Sequence, residues 1–311
     1  MSIRKFEDLY STGDVLGEGA FSVVRSCTEK ATGNQVATKI VQRTGVSAED
    51  ISDLRREVEI LRTINSPYVT QCYDFFEDDA QFHVVLEYLA GGELFDRIVK
   101  KSVYNEGEAR DLVCRLLMAV KSCHDQHVVH RDLKPENLLL KSHTDDIDVK
   151  LADFGFAVRV DTDKSLTTAC GTPGYVAPEI LRRDPYGRPS DMWSMGVITF
   201  IILGGYPPFY DESDKELFRK IKAGAYEFHT DYWKHISEDA KDLIRRMLVV
   251  NPDQRITVDE ALSHAWMQRA TEELTSRNLN DNLKALKSFN GKRKLRAAVK
   301  AVVAANRLAS L

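Results

Sequence analysis

The residues best equipped for chemistry sit close together in the chain. His130-Arg131-Asp132-Leu133-Lys134-Pro135-Glu136-Asn137 is followed, sixteen residues after Asn137, by Asp153-Phe154-Gly155. Asp132 could orient an attacking hydroxyl and accept its proton. Asn137 and Asp153 offer hard oxygen donors of the kind Mg²⁺ prefers. Two acids and an amide so spaced are equipment for phosphoryl transfer, and the loop and triplet together are hard to credit to chance.

Other elements must bring a phosphate to that loop. Residues 9–41 read as strands around the turn Leu16-Gly17-Glu18-Gly19-Ala20-Phe21-Ser22-Val23-Val24, whose glycines at 17 and 19 would let backbone amides approach a phosphate. Taken alone, a plain hairpin explains this turn equally well. Lys39 ends the β-branched run Val36-Ala37-Thr38-Lys39 and, taken alone, reads as a surface lysine. Residues 49–63 carry Ile51, Leu54, Val58 and Leu61 at helical spacing and predict a helix that also bears Glu57 and Glu59. Phe82 to Leu86 reads as a buried strand running into Glu87-Tyr88-Leu89 and then Gly91-Gly92-Glu93-Leu94-Phe95. From Glu106 to His127 the positions Leu112, Val113, Leu116, Leu117 and Val120 predict a long amphipathic helix ending at the chemical loop. His124 and His127 read as packing or surface residues, since no metal partners are spaced for them. Further helices are expected over 237–248 and 257–266.

A chain of 311 residues suits two lobes and a tail, and 43% hydrophobic with 29% charged residues is ordinary for a globular enzyme. The formal charge of −4 is unevenly spread. Lys284 to Leu311 holds eight Lys/Arg and no Asp/Glu, leaving 35 basic against 47 acidic residues before it. That tail calls for an acidic partner, either another protein or the body itself. Five scattered cysteines (Cys27, Cys72, Cys114, Cys123, Cys170) with no Cys-x-x-Cys pair indicate neither a disulfide framework nor a zinc site, and fit a reducing cytosol. Met1-Ser2-Ile3-Arg4-Lys5 has no apolar signal core and no glycine for myristoylation. The longest apolar run, Val197 to Leu203, is too short to cross a bilayer and reads as a buried helix.

The tail itself is patterned. Leu295, Ala298, Val299, Val302 and Val303 make one apolar stripe, and Arg293, Arg296, Lys300 and Arg307 fall on an adjoining basic face. Such a helix suits calmodulin or an anionic membrane, or simply packs on the body. Gly291 would weaken a continuous helix by about 1 kcal/mol relative to alanine and reads as a hinge.

The chemical loop, the Asp-Phe-Gly triplet, the Gly-rich turn and Ala177-Pro178-Glu179 together resemble calmodulin-dependent Ser/Thr protein kinases. The body is most similar to the type I kinases, and Leu286-Lys287-Ser288-Phe289-Asn290-Gly291-Lys292-Arg293-Lys294-Leu295 to the type II tail. The resemblance implies an α+β, bilobal kinase fold with a small β-rich N-lobe (1–86), a hinge (87–89), a mainly helical C-lobe (90–267), an autoinhibitory segment (268–290) and a calmodulin-binding segment (291–311). It further implies ATP and Mg²⁺ as cofactors. Asp132 would orient the acceptor, Lys134 would steady the phosphate, Asn137 and Asp153 would hold the metal, and Lys39 with Glu57 would position the phosphates. Glu57 is preferred because Glu57-Val58-Glu59-Ile60-Leu61 matches the family's Glu-x-x-Ile-Leu arrangement. ATP would further meet residues 16 to 24, with Ser22 where a third glycine often stands, and Ala37, Leu86, Glu87, Leu89 and Glu93.

By the same resemblance Glu93 and Glu136 receive a substrate arginine, Thr168 is the activation-loop phosphosite of an upstream kinase, and Thr172 packs near the acceptor. Asp191 would bond the catalytic-loop backbone, and Arg255 would pair with Glu179. Calmodulin, loaded with Ca²⁺, would take Phe289, Lys292, Arg293, Leu295, Arg296, Val299, Lys300, Val302, Val303 and Leu308. Asn282 stands where type II tails carry an autophosphorylated threonine, so phosphate-locked autonomy is not expected. The implied partners are calmodulin and protein substrates with basic residues upstream of Ser/Thr. A cytoplasmic monomer with access to the nucleus is expected, with no nucleic acid and no membrane span. The competing readings are a pseudokinase scaffold and an active kinase whose tail binds anionic membrane.

Overall fold

The computed structural model describes residues 4–18 and 22–309, with the backbone alone from Lys300 onward. Five antiparallel strands form the N-terminal sheet: β1 (Tyr10–Glu18), β2 (Ser22–Glu29), β3 (Gln35–Gln42), β4 (Cys72–Glu77) and β5 (Gln81–Glu87), in the order β1-β2-β3-β5-β4. One face is closed by the short helix α1 (Phe6–Leu9), whose Phe6 stacks on His83 at 4.1 Å and packs with Tyr10, Cys27, Val36 and Val85. The other face meets α2 (Ala48–Thr63) through Val41, Leu54, Val58, Phe82 and Val84. Ser47 and Asp50 form a capping box that starts α2, so its first-turn amides are satisfied.

Past the strand β5 the chain crosses to a helical lobe. The two-residue strand β6 (Gly92–Glu93) leads into α3 (Leu94–Ile98) and α4 (Glu106–His124), the second capped by Asn105 and Glu108. Short strands β7 (Val128–Val129), β8 (Leu138–Leu140), β9 (Val149–Leu151) and β10 (Val158–Arg159) then flank the catalytic loop, β6 pairing with β8 and β8 with β9. After α5 (Pro178–Arg182) comes α6 (Pro189–Gly204), apolar all round and buried on every side, as a helix at the centre of a lobe must be. Gly205, at φ +80°, ends it in the left-handed conformation that glycine adopts without strain. The segment expected as one helix over 257–266 is two, Val258–Leu262 and Ala265–Gln268. His264 breaks the run and caps the second piece by accepting from the Trp266 amide at 3.2 Å.

Two ties hold this lobe. Arg255 donates to both oxygens of Glu179 at 2.7 and 2.9 Å and to the carbonyls of Pro189 and Val249, with its guanidinium 5.2 Å from the Trp193 ring. Both members of the pair are fully enclosed. The second tie is the C-terminal helix Asn280–Ala309, which enters the core through Leu283 and Leu286, just after Leu279. Each such leucine contributes about 1.5–3 kcal/mol by leaving water. The helix runs without interruption through Gly291, so the expected hinge there is not formed; contacts on both sides of the glycine outweigh its intrinsic cost. No described helix is long and apolar enough to cross a membrane.

Removing one partner of the Arg255–Glu179 pair strands a buried charge. Glu179→Ala is expected to cost about 3–5 kcal/mol, read as a lower urea midpoint for the C-lobe. A loss under about 1 kcal/mol would mean that the pair is not structural.

Candidate active site

The register of the sheet decides which side chains face the cleft. Val24 lies opposite Lys39, and Ala37 opposite Leu86, so pleat alternation puts all four on one face, partly exposed. Val23, opposite Ile40, falls on the other face, and only its backbone could serve a nucleotide. Lys39 reaches α2, where its Nζ donates to Glu57 Oε2 at 2.8 Å and Oε1 at 3.1 Å. Burial works against the ammonium, but Glu57, with Asp153 beyond it, holds the lysine's pKa above its ordinary value. Glu59 faces solvent instead, because it lies about 200° around the helix from Glu57. Leu16 and Gly17 border the turn, and a Cβ on Gly17 would meet no heavy atom within 4 Å. Glu18 is exposed and Ser22 opens the second strand, while Gly19, Ala20 and Phe21 lie outside the described residues.

The catalytic loop is fixed from beneath by one carboxylate. Asp191, in the first turn of α6, accepts from the amides of His130 (2.9 Å) and Arg131 (3.0 Å) and pairs with His124 Nε2 (3.0 Å). Burial alone would raise its pKa; His124 and the loop amides outweigh that and keep the carboxyl below its ordinary range. The loop needs the support, since Arg131 takes a left-handed φ of +70° that a residue with a side chain adopts only at a cost. Asp132 follows, buried, with Oδ1 accepting from Thr172 Oγ1 at 2.7 Å and Oδ2 paired with Lys134. Asn137 Nδ2 donates to the Asp132 carbonyl at 2.9 Å, which commits the amide nitrogen and leaves Oδ1 as its donor to a cation.

Asp153 also sits at a positive φ, +61°, while Phe154 is wholly buried against His130, its ring centroid 4.9 Å away. The phenylalanine is thus an anchor that aims the aspartate before it into the cleft. A carboxylate from Asp153 and an amide oxygen from Asn137 form a donor set that suits Mg²⁺ better than a softer metal.

The hinge has a buried brace that the sequence reading missed. Glu87 donates its amide to Gln71 O at 2.9 Å and its Oε2 accepts from Lys150 Nζ at 2.6 Å, so only its backbone carbonyl could serve a base. Lys150 pairs across the ribbon with Leu139, and Leu139 with Glu93, so these three share the face turned toward the hinge. Leu138 and Leu140 are buried in the lobe core while Leu139 is partly exposed, which makes Leu139 a floor on the face turned toward the hinge. Two-residue alternation in Leu138-Leu139-Leu140 was the signal available. Leu89, also partly buried, follows in the connection between the lobes.

Glu93 and Glu136 are brought together, and they are not free. Arg293 of the C-terminal helix pairs with Glu93 and, at 2.9 Å, with Glu136 Oε1, while the neighbouring Lys294 pairs with Asp96. Asn290, itself buried, donates to Asp96 Oδ1 at 2.8 Å and accepts from Arg293 Nε at 3.1 Å. Burial disfavours the guanidinium's charge, but the two glutamates raise its pKa nonetheless. Arg296 bonds Tyr210 Oη at 2.9 Å and lies over its ring. The basic face is therefore partly spent on the body, one of the two acidic partners expected for the tail. Leu295 and Val299 are exposed, Lys292 is exposed and Phe289 is partly buried. The side chains of Lys300, Val302, Val303 and Leu308 lie outside what is described. Thr168 is exposed on the activation segment.

The protein kinase domain profile matches residues 10–267. Over 307 residues, 99% of this chain, the sequence is 42% identical to a calcium/calmodulin-dependent protein kinase type II of Caenorhabditis briggsae, covering 58% of that protein. It is 43% identical over 304 residues to the type II subunit delta of Oryctolagus cuniculus, covering 97% of this chain and 57% of the relative. A Caenorhabditis elegans type II kinase matches at 42%, with 43% of its length covered. The chain thus spans roughly half the length of these relatives.

Glu57→Gln should lower phosphate transfer at least about tenfold, because the Lys39–Glu57 pair must be formed for transfer. Glu59→Gln should leave it unchanged. Equal effects from the two substitutions, in a steady-state turnover assay, would contradict the pairing as the functional one.

Proposed function

The chain belongs to the protein kinase domain family, and from that premise we propose that it transfers the ATP γ-phosphate to protein Ser/Thr hydroxyls under the control of its own C-terminal helix. Members of this family use ATP and Mg²⁺. When bound, Mg²⁺-ATP supplies the transferable phosphoryl group. The chain's residues supply position and charge. Lys39, braced by Glu57, offers a fixed cation to the phosphates, and Asn137 Oδ1 with Asp153 offers the metal its oxygens. Asp132 orients the acceptor hydroxyl and takes its proton at Oδ1 or Oδ2, with Lys134 beside it to steady the phosphate. Thr172, on Asp132 Oδ1, bounds the place where the acceptor enters.

The observation that carries the regulatory reading is Arg293 bridging Glu93 and Glu136. Two acids that would receive a substrate arginine hold the tail's arginine instead, so substrate and tail compete for one site. Glu136 Oε2 is buried with no partner among the described residues, so the tail satisfies that acid only in part and a better-placed guanidinium can displace it. Ca²⁺-loaded calmodulin is the proposed release factor. Leu295 and Val299 present exposed apolar anchors one helical turn apart, beside basic residues. Calmodulin gripping this face would draw Arg293 out of the acids. To take the helix from 99% docked to 99% released it must favour the released state ~10⁴-fold. Thr168, exposed on the activation segment, is open to an upstream kinase, and a phosphate there would enhance rather than create activity. Asn282 offers no hydroxyl to modify; its amide donates to the carbonyls of Leu203 (2.7 Å) and Tyr232 (2.9 Å).

Transfer of ³²P from ATP to an Arg-x-x-Ser peptide tests this directly. The full chain should be nearly silent until Ca²⁺-calmodulin is added, and Arg293→Ala should raise calmodulin-free activity about tenfold or more. Equal activity of both proteins with and without calmodulin would sink the inhibitory role of the helix.

A further inference from the structure

Arg131 precedes the catalytic aspartate, is partly exposed, and is a cation that a phosphate on the exposed Thr168 could organise. Its guanidinium is already engaged. Nε donates to the Phe156 carbonyl at 2.5 Å, and Nη1 donates to the Tyr186 hydroxyl at 3.3 Å. That same hydroxyl donates to the Thr168 carbonyl at 2.6 Å and lies 3.6 Å from Cys170 Sγ. Tyr186 is buried, and its backbone exchanges two hydrogen bonds with Leu166 at 2.9 and 3.1 Å. Next to it Gly187 lies so close to Asp163 that a Cβ would come within 2.5 Å of the aspartate's Cα. Arg188 then clasps the Asp163 carboxylate at 2.7 and 2.9 Å. Residues 163–170 are thus stitched to residues 186–188 in register.

The consequence reaches the reacting atoms. Four residues beyond Thr168, Thr172 donates to Asp132 Oδ1, and between them Gly171, at φ +105°, leaves no room for a Cβ against the Arg131 carbonyl, 2.9 Å away. One hydroxyl therefore sits at the junction of the loop that carries the base and the segment that borders the acceptor. Burial, with Cys170 adding to it and Arg131 opposing, pushes the phenol's pKa up to about 12, so it stays a neutral donor and acceptor throughout the working pH range.

We propose that Tyr186 is a positioning residue for phosphate transfer: its hydroxyl links Arg131 to the Thr168 carbonyl and so does, without modification, the ordering that a phosphate on Thr168 would otherwise supply. This rests on the kinase reading above and assigns the segment's order to a residue outside it. The linkage is local and is made of unmodified side chains. It makes the activation segment competent as synthesised and confines any effect of Thr168 phosphorylation to a small increment.

The test compares the full chain, Tyr186→Phe, and both proteins carrying genetically encoded phosphothreonine at position 168. Tyr186→Phe keeps the buried ring and removes only the hydroxyl. Amide exchange over residues 166–172 should quicken about tenfold in the variant, the consequence of one lost hydrogen bond. With calmodulin or Arg293→Ala releasing the tail, kcat should fall by a similar factor while KM for ATP stays within about twofold. Phosphothreonine should restore both properties in Tyr186→Phe and change the parent less than about twofold. Exchange and turnover equal to the parent's would overturn the proposal, as would failure of phosphothreonine to rescue the variant. A silent parent whose variant still shows the faster exchange would overturn the kinase reading and leave the linkage standing.

Discussion

The whole arrangement hangs on one buried carboxylate at the start of one buried helix. Asp191 accepts two amides from a loop whose backbone is forced to a positive φ at Arg131, and it pairs with His124 from the long helix alongside. Without those bonds the loop would relax toward an ordinary conformation, and Asp132 would leave the position from which Thr172 and Lys134 meet it. A buried charge is tolerable only when fully partnered, and here each partner belongs to the site's own scaffold. The same helix ends at Gly205, where Asn282 caps the Leu203 carbonyl and a Cβ on the glycine would lie 2.3 Å from the Asn282 carbonyl. About 21 Å of helix therefore separates Asp191, which fixes the catalytic loop, from Gly205, where the C-terminal helix is seated. The catalytic loop and the C-terminal helix are thus fixed to opposite ends of one buried helix.

Charge decides where the tail comes to rest. It carries eight basic residues beside a body with an excess of acids, and among the described side chains Arg293 and Lys294 meet the body's acids, namely Glu93, Glu136 and Asp96. The apolar part of the same helix, Leu283 and Leu286, is committed to the lobe core. Hydrophobic burial holds the near half of the helix, and ion pairs, individually weaker and screened by salt, hold the distal part. A releasing partner would therefore begin at the distal end.

Much of this was legible in the sequence because it depends on short spacings. The Asp132–Asn137 loop, Asp153, and the placement of Lys39 on a strand and Glu57 on a helix are local patterns, and local patterns survive without a structure. The brace of Lys150 on Glu87 and the floor at Leu139 were not read, because both depend on which strand lies beside which, a non-local fact. Gly291 misled for the opposite reason. Its propensity argues for a break, but tertiary contacts from Asn290 and Arg293 on either side override a cost of about 1 kcal/mol. The basic tail face and its call for an acidic partner were legible as a pattern, whereas the acids it meets were not, since no sequence pattern pairs Arg293 with residues two hundred positions earlier.

Inhibition by the C-terminal helix, as proposed, requires Arg293 to occupy the seat of a substrate arginine. The most direct test is amide exchange of residues 292–296 in the full chain without calmodulin, at saturating concentrations of an Arg-x-x-Ser peptide or of its Ala-x-x-Ser counterpart. The arginine peptide should speed exchange there and the alanine peptide should not, while Val197–Leu203 stays protected with both. Protection of the tail that is indifferent to the peptide's arginine would contradict the claim.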